Sequence, residues 1–302
     1  MQSLVLNIPA KINLSLDITG KREDGYHTLR SVFQTVGIYD RLTVTKTDAG
    51  EPVTLTCDTA GIPTDRRNLV LRAAEALLGE KPCGFTMHLQ KRIPSQAGMG
   101  GGSADCAAAL LAIRQMFLPE LPDAVLHEKA ATLGADVPFF LKGGTALCEG
   151  IGDLVTPLMP MPKRILVIAK GTEGISTPAA YRAFDALPGS PPKHTVRVLP
   201  LLYAADAMRL FSACGNHFDL VTKLPEVEQI RRVMRSYQVN PVLSGSGAAV
   251  FGGCRSKAQA EELAAALRAA GIAYVAVCST HSGGITALSV TSADGRNAPA
   301  AP

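Results

Sequence analysis

The chain has 302 residues, 47% hydrophobic and 19% charged, which excludes a disordered or fibrous protein and leaves room for two domains with separate cores. Thirty basic residues against 26 acidic ones give a formal charge of +4, and tryptophan is absent; the mild excess suits small anionic substrates, and with no basic run interleaved with aromatics a nucleic-acid partner is not expected. No window reaches membrane-spanning length, and the start, Met1 to Pro9, has neither the basic flank nor the long apolar run of a signal peptide, so the expected place is the cytoplasm, with no membrane partner.

Leu4 to Ile8 and Ile12 to Ile18 read as strands, the second alternating: Ile12, Leu14, Leu16 and Ile18 point one way, Asn13, Ser15 and Asp17 the other. Arg41 to Lys46 and Val53 to Cys57 read as two further antiparallel strands. Asn68 is placed to cap a helix over Leu69 to Leu78. A strand over Phe85 to Gln90 leads into a glycine-rich segment, then a helix over Ala104 to Met116 and another over Asp123 to Leu133. Pro157, Pro160 and Pro162 precede a new strand, Arg164 to Ala169, and mark a domain boundary. Helices follow near Pro178 to Ala186, Ala205 to Phe211 and Val227 to Tyr237. The strand-like run Pro241 to Ser244, a turn, a strand over Ala249 to Phe251, a helix over Lys257 to Ala270 and a strand over Ala273 to Val277 suggest a small α+β layer. The expected division is residues 1–158, residues 159–281 and a disordered tail, 282–302.

The segment Pro94-Ser-Gln-Ala-Gly98-Met99-Gly100-Gly101-Gly102-Ser103-Ala-Asp105 is the strongest chemical signal. Four glycines in five positions let the backbone bend sharply and approach a ligand closely. With a strand before and a helix after, loop N–H groups and the helix N-terminus face the same anion. No Gly-Lys-Ser/Thr closes the loop, so it is not a Walker A loop, and it lacks the dinucleotide fingerprint. A second glycine cluster, Gly245-Ser246-Gly247, is either a tight turn between strands or a second loop beside bound phosphates. Seven cysteines, an odd number without a C-x-x-C pair, argue against a disulfide framework or a zinc site.

Lys11, in Pro9-Ala-Lys-Ile-Asn13, is either a snorkelling side chain or half of a site. Asp136, among small and apolar neighbours in Leu133-Gly-Ala-Asp-Val-Pro-Phe-Phe140, is either half-buried or functional. Together they would form a base that accepts a hydroxyl proton and a cation that keeps it ionised. Phosphoryl transfer asks mostly for such positioning and charge stabilisation. Gly25-Tyr26-His27 is either a surface turn or a pocket edge that recognises a planar group.

Three motifs in order, Pro9 to Leu14, Pro94 to Asp105 and Leu243-Ser-Gly-Ser-Gly-Ala248, resemble those of the GHMP kinases, the galactokinase, homoserine, mevalonate and phosphomevalonate group. Residues 9–29, with Leu133 to Phe140 and Gly150-Ile-Gly-Asp153, are similar to the branch acting on 4-diphosphocytidyl-2-C-methyl-D-erythritol in the non-mevalonate isoprenoid pathway; the likeness runs to about Cys278. The resemblance implies an α+β fold with an N-terminal ribosomal S5-like ATP-binding domain, a C-terminal ferredoxin-like domain and a site between them. It implies ATP with Mg²⁺, and transfer to the 2-hydroxyl of the erythritol moiety. By matching position, Lys11 and Asp136 are the catalytic pair. Asn13, Tyr26, His27 and Thr177 border the substrate, His27 reading the cytosine edge and Tyr181 stacking on the ring. Asn68, Lys91, Pro94, Gly98, Met99, Gly100, Gly101, Gly102 and Ser103 surround the nucleotide. The metal ligands stay open, and the protein is expected as a monomer or homodimer. The competing readings are a kinase of homoserine or mevalonate, which would have no need of Gly25 to His27, and a nucleotide-binding pseudokinase, which would have no need of Lys11 and Asp136.

Overall fold

A computed structural model describes residues 2–79, 81, 83–291 and 297–299. Two long antiparallel strands form its spine, β1 (Ser3–Lys21) and β2 (His27–Lys46). β1 joins the two strands expected at its N-terminal end into one. Its register shifts between Pro9 and Ala10, between Asn13 and Ser15, and between Ile18 and Gly20. A bulge accommodates Pro9, which has no N–H to give the ladder. β2 begins well before Arg41, where its expected start lay. Its first half carries Ser31, Gln34 and Thr35, all fully buried, so polar side chains there face protein rather than water.

The first lobe continues through β3 (Thr54–Cys57), α1 (Leu69–Leu78), β4 (Phe85–Gln90), α2 (Gly101–Phe117), α3 (Asp123–Leu133), α4 (Val137–Phe140), β5 (Thr145–Glu149) and β6 (Leu154–Pro157). Asn68 caps α1 as the sequence predicts, accepting the Val70 N–H at 3.0 Å. α2 buries Ala104, Ala107, Ala108, Ala109 and Ala112; these small side chains bring its axis close to α1 and the sheet, in a core completed by Phe33, Phe85, Phe139 and Phe140. It starts at Gly101, earlier than expected, because the glycine segment itself winds into the first turn.

The second lobe holds β7 (Ile165–Lys170), α5 (Thr177–Asp185), α6 (Thr195–Val198), α7 (Ala207–Ala213), β8 (Gly215–Asn216), α8 (Pro225–Ser236), β9 (Val242–Leu243), β10 (Val250–Cys254), α9 (Lys257–Ala269) and β11 (Tyr274–Ser279). Its sheet is antiparallel, in the order β11-β7-β10-β9. α8 and α9 cover it with Val227, Ile230, Met234, Leu263 and Leu267.

The expected disordered tail, 282–302, is corrected in part. Thr286–Thr291 form β12, antiparallel to β1 from Ser3↔Thr291 to Asn7↔Thr286, and Asn297–Pro299 form β13 beside it; 292–296 and 300–302 lie outside the described residues. The first sheet therefore runs β13-β12-β1-β2-β4-β3, with β5 and β8 also pairing with β2 and β1. Ile285, Ala287 and Val290 pack on the first core. A short strand of small and polar residues looks like linker in the sequence, yet it satisfies the free edge of β1.

Candidate active site

Gly98 and Gly100 adopt φ of +69° and +72°, in the left-handed region that side chains avoid. Space is as restrictive as torsion. A Cβ on Gly98 would lie 1.9 Å from the Ser244 carbonyl oxygen, and one on Gly100 would lie 2.7 Å from the Phe140 ring. The two glycine segments interlock: Ser244 Oγ donates to Gly98 O (2.9 Å), and the N–H groups of Ala248 and Ala249 donate to Gln96 O (3.1 Å) and Ala97 O (3.2 Å). Asn216 braces the second segment by donating to Leu243 O and Gly245 O, both at 2.8 Å. A Cβ on Gly102 would meet nothing within 4 Å, so this part of the loop is open. A cavity of about 380 Å³ lies over the loop, lined also by Pro63, Asn68, Lys91 and Ser103. The unpaired N–H groups of the first turn of α2 make its end an anion site.

Beneath the loop, the buried Lys91 ammonium is held between Asp40 and Asp105, the latter at 2.6 Å. Asp40 also accepts the N–H groups of Arg92 (2.5 Å) and Ile93 (2.8 Å). Although burial works against it, the charges of Asp105 and Asp40 hold the Lys91 pKa up. Burial pushes the Asp105 carboxyl up to about 7 against the pull of Lys91, and Asp40 adds to the rise. Asp105 Oδ1 is buried without a hydrogen-bond partner. Two carboxylates share one ammonium here, and Asp105 carries the imbalance.

Lys11 joins this loop to the second cavity. Its backbone N–H donates to Met99 O at 3.0 Å. Its ammonium donates to Asn13 Oδ1 (2.8 Å), lies 3.3 Å from Asp136 Oδ2 and sits 4.4 Å from the Phe33 ring centroid. Lys11 is nearly fully buried, whereas the Asp136 side chain is 30% exposed, so the carboxylate has an open side toward a ligand. Asn13 is fixed in turn: its amide donates to Ser31 Oγ (2.9 Å), and its Oδ1 also accepts the Gly245 N–H (2.8 Å).

The second cavity, about 680 Å³, is lined by Lys11, Asn13, Asp136, Gly98 and Gly100 at one end and by Tyr26, His27, Thr177, Tyr181 and Asp185 at the other. Tyr181 stacks on His27 with centroids 4.4 Å apart and planes 13° from parallel, and its ring meets Phe218 edge-on at 5.0 Å. That spacing leaves no room for a base between His27 and Tyr181. Burial pushes the Tyr181 hydroxyl up to about 12, so it stays neutral. Tyr26 stands 63% exposed at the rim. Thr177 Oγ1 bonds Ser246 Oγ at 2.7 Å, tying the N-terminus of α5 to the second glycine segment.

Residues 68–144 match the model of the GHMP kinases N terminal domain, and residues 199–273 match that of the GHMP kinases C terminal domain. The 4-diphosphocytidyl-2-C-methyl-D-erythritol kinase of Pelotomaculum thermopropionicum is 41% identical, over 86% of this chain and 92% of that protein. The chain belongs to the GHMP kinases, in their 4-diphosphocytidyl-2-C-methyl-D-erythritol kinase branch. The kinase of the same name from Moorella thermoacetica is 38% identical, over 87% of this chain and 95% of that protein. A solved 4-(cytidine 5'-diphospho)-2C-methyl-D-erythritol kinase superposes with a TM-score of 0.77 at 33% identity, covering 94% of this chain and 100% of the other. Homoserine kinase from Cytophaga hutchinsonii shares the GHMP fold, with a TM-score of 0.70 at 19% identity. The two-domain α+β architecture is that of the GHMP kinases.

In this GHMP kinase the structure brings Lys11, Asn13, Tyr26, His27, Asp136, Thr177 and Tyr181 to one cavity, with Gly245 and Ser246 of the second segment; Gly247 does not line it, and a Cβ there would clash with Ile175 at 2.8 Å and crowd Leu243 at 3.1 Å. Asn68, Lys91, Pro94, Met99, Gly101, Gly102 and Ser103 line the other cavity, and Gly98 and Gly100 line both. Lys91 differs from its expected setting, because its ammonium is taken up by two aspartates. Asp40, Asp105, Asp185 and Lys21 were missed by sequence reasoning. Asp105 and Lys21 lie within the motifs singled out, without a role assigned there, and Asp185 lies four residues after Tyr181 on α5 and so shares its face.

Among the described residues, one cluster has metal-ligand composition, Asp17, His194 and His217. The ligand atoms of Asp17 and His217 are already used, and only His194 Nδ1 is buried without a partner. His217 Nδ1 accepts the Ile18 N–H at 2.9 Å, so the proton is on Nε2, directed at Pro192 O (3.1 Å) and Asp17 Oδ1 (3.4 Å). Asp17 accepts the N–H groups of His194 (2.7 Å) and Thr195 (2.8 Å). The cluster is a brace between β1 and α6.

Proposed function

We propose that this chain transfers the γ-phosphoryl group of ATP to the 2-hydroxyl of 4-diphosphocytidyl-2-C-methyl-D-erythritol. One observation carries the reading: the Lys11–Asp136 pair, 3.3 Å apart, stands where the loop cavity meets the larger cavity, with Gly98 and Gly100 common to both. A nucleotide whose phosphates lie on the loop and the first turn of α2 then points its terminal phosphate at an acceptor held beside Asp136.

Asp136, open on one side, takes the proton of the acceptor hydroxyl or orients it for attack. Lys11 keeps the carboxylate ionised and adds positive charge where the transferring group carries negative charge. Asn13, itself held by the Gly245 N–H, fixes the ammonium, so little reorganisation is needed during transfer. No group of three carboxylate, imidazole or thiolate ligands occurs at the loop among the described residues. The donor set fits a Mg²⁺ ion held chiefly by substrate phosphates, with the Ser103 hydroxyl as the side chain at hand. When bound, the ion supplies charge neutralisation on the phosphates. Tyr26, His27 and Tyr181 at the far end suit a cytosine, and a homoserine or mevalonate substrate would leave them idle.

An ADP-release assay with ATP and Mg²⁺ tests this. Turnover is expected with the cytidyl substrate and not with homoserine or mevalonate. Turnover with either of those alcohols, or with none of the three, would overturn the substrate assignment.

A further inference from the structure

Lys21 and His27, at the two ends of the β1–β2 turn, both reach the last residue of α5. Lys21 Nζ and His27 Nε2 each lie 2.6 Å from Asp185, one on either carboxylate oxygen. Hydrogen bonds from Lys21 and then His27 hold the Asp185 carboxyl below its usual range, so it is ionised and can only accept. A nitrogen 2.6 Å from such an oxygen carries the proton. In neutral imidazole the other nitrogen, Nδ1, is then a lone-pair acceptor. His27 is itself buried and lines the larger cavity, with its plane fixed by the Tyr181 stack.

We propose that Asp185 is a positioning residue that sets base specificity: by fixing His27 with its proton on Nε2, it leaves Nδ1 to accept from the 4-amino group of cytosine and to reject the 4-carbonyl of uracil. The proposal rests on the cytidyl reading above. A lone pair facing a carbonyl is repelled and both groups are left unpaired, the kind of mismatch by which polar sites discriminate most strongly. Lys21 keeps Asp185 ionised and in place. The three side chains come from three elements, β1, β2 and α5, so the reader is assembled only when α5 packs against the β1–β2 turn.

Two measurements on the full chain test this. The first is ¹⁵N NMR of the His27 ring. Nε2 is expected to be protonated and Nδ1 bare in the free protein, and Asp185→Ala should give a mixture of tautomers. A protonated Nδ1 in the unaltered protein, or an unchanged spectrum in the variant, would overturn the proposal. The second compares binding of cytidine diphosphate and uridine diphosphate. Asp185→Ala should lower the preference for the cytidine ligand by about tenfold, while ATP affinity stays within about twofold. Asp185→Asn, whose amide can either accept from or donate to Nε2, should fall between the two. An unchanged cytidine preference in Asp185→Ala would reduce Asp185 to a structural contact. Neither readout needs turnover, so failure of the kinase assay and failure of this proposal are separate results.

Discussion

At the scale of single residues, the site depends on a buried cation and a half-open carboxylate. Taken alone, Lys11 reads in the sequence as a snorkelling lysine, and only the motif around it pairs it with Asp136. The structure makes the ammonium a fixed group with three neighbours: Asn13, Asp136 and the Phe33 ring. Asp136→Asn keeps the shape and removes the base. It is expected to lower kcat by about a hundredfold to ten-thousandfold while ATP affinity changes by less than about twofold, because the cavity over the glycine loop does not include residue 136. Steady-state kinetics and nucleotide titration separate the two effects, and a variant that keeps most of its kcat would remove Asp136 from the base role. The sequence carried Lys11, Asp136 and His27 because each sits in a long local motif. It did not carry Asp40 or Asp185, because an acid on a strand or a helix end is commonplace until its partner from a distant segment is known.

At the scale of elements, the first glycine segment was readable because its composition and its strand-to-helix setting are both local. What it packs against was not. Gly98 needs a positive φ and also backs onto Ser244 O, 146 residues later in the chain. Gly98→Ala therefore meets strain and a backbone clash together. It should lower stability by roughly 2–4 kcal/mol and weaken ATP binding, read by chemical denaturation and titration; a change under about 0.5 kcal/mol would mean that the loops part easily. Under the loop, Asp105 gives stability a pH dependence. Its folded pKa lies above the unfolded value, so its contribution is fully present below the ordinary carboxylate range and is lost as pH rises toward about 7. Asp105→Asn keeps an oxygen for Lys91 and removes the surplus charge, so it should flatten the fall in stability between about pH 4 and 7. Lys91→Met strands two carboxylates and should cost about 3–5 kcal/mol at neutral pH. Denaturation curves across that range, for both variants, decide whether the charge imbalance lies where the geometry puts it.

At the scale of the molecule, the chain's return to its first sheet is what composition concealed. Up to Ser279 the order of elements follows the two layers visible in the hydrophobic pattern, the second built as an antiparallel sheet under two helices. After that the alternation in Thr286–Thr291 is weak, since small and hydroxyl side chains suffice for a strand near the rim of the sheet whose one face is solvated. Its role follows from β1, which carries Lys11 and Asn13 and would otherwise expose backbone N–H and C=O groups along Ser3 to Asn7. The segment before β12 is fastened as well: Gly144 N–H donates to Gly283 O at 3.2 Å, and Thr35 Oγ1 donates to the same oxygen at 2.8 Å. A chain ending at Gly284 loses the ladder and the packing of Ile285, Ala287 and Val290, whereas one ending at Thr291 keeps both. Partial burial of three such side chains is worth about 2–4 kcal/mol, which lowers Tm by roughly 3–6 °C in a chain of this size. Calorimetry of the two truncations gives the comparison directly. Equal midpoints would mean that β12 lies on the sheet without holding it. A gap of the expected size, with kcat lost in step with the folded fraction, would make β12 the clamp that keeps β1, and with it Lys11, in register.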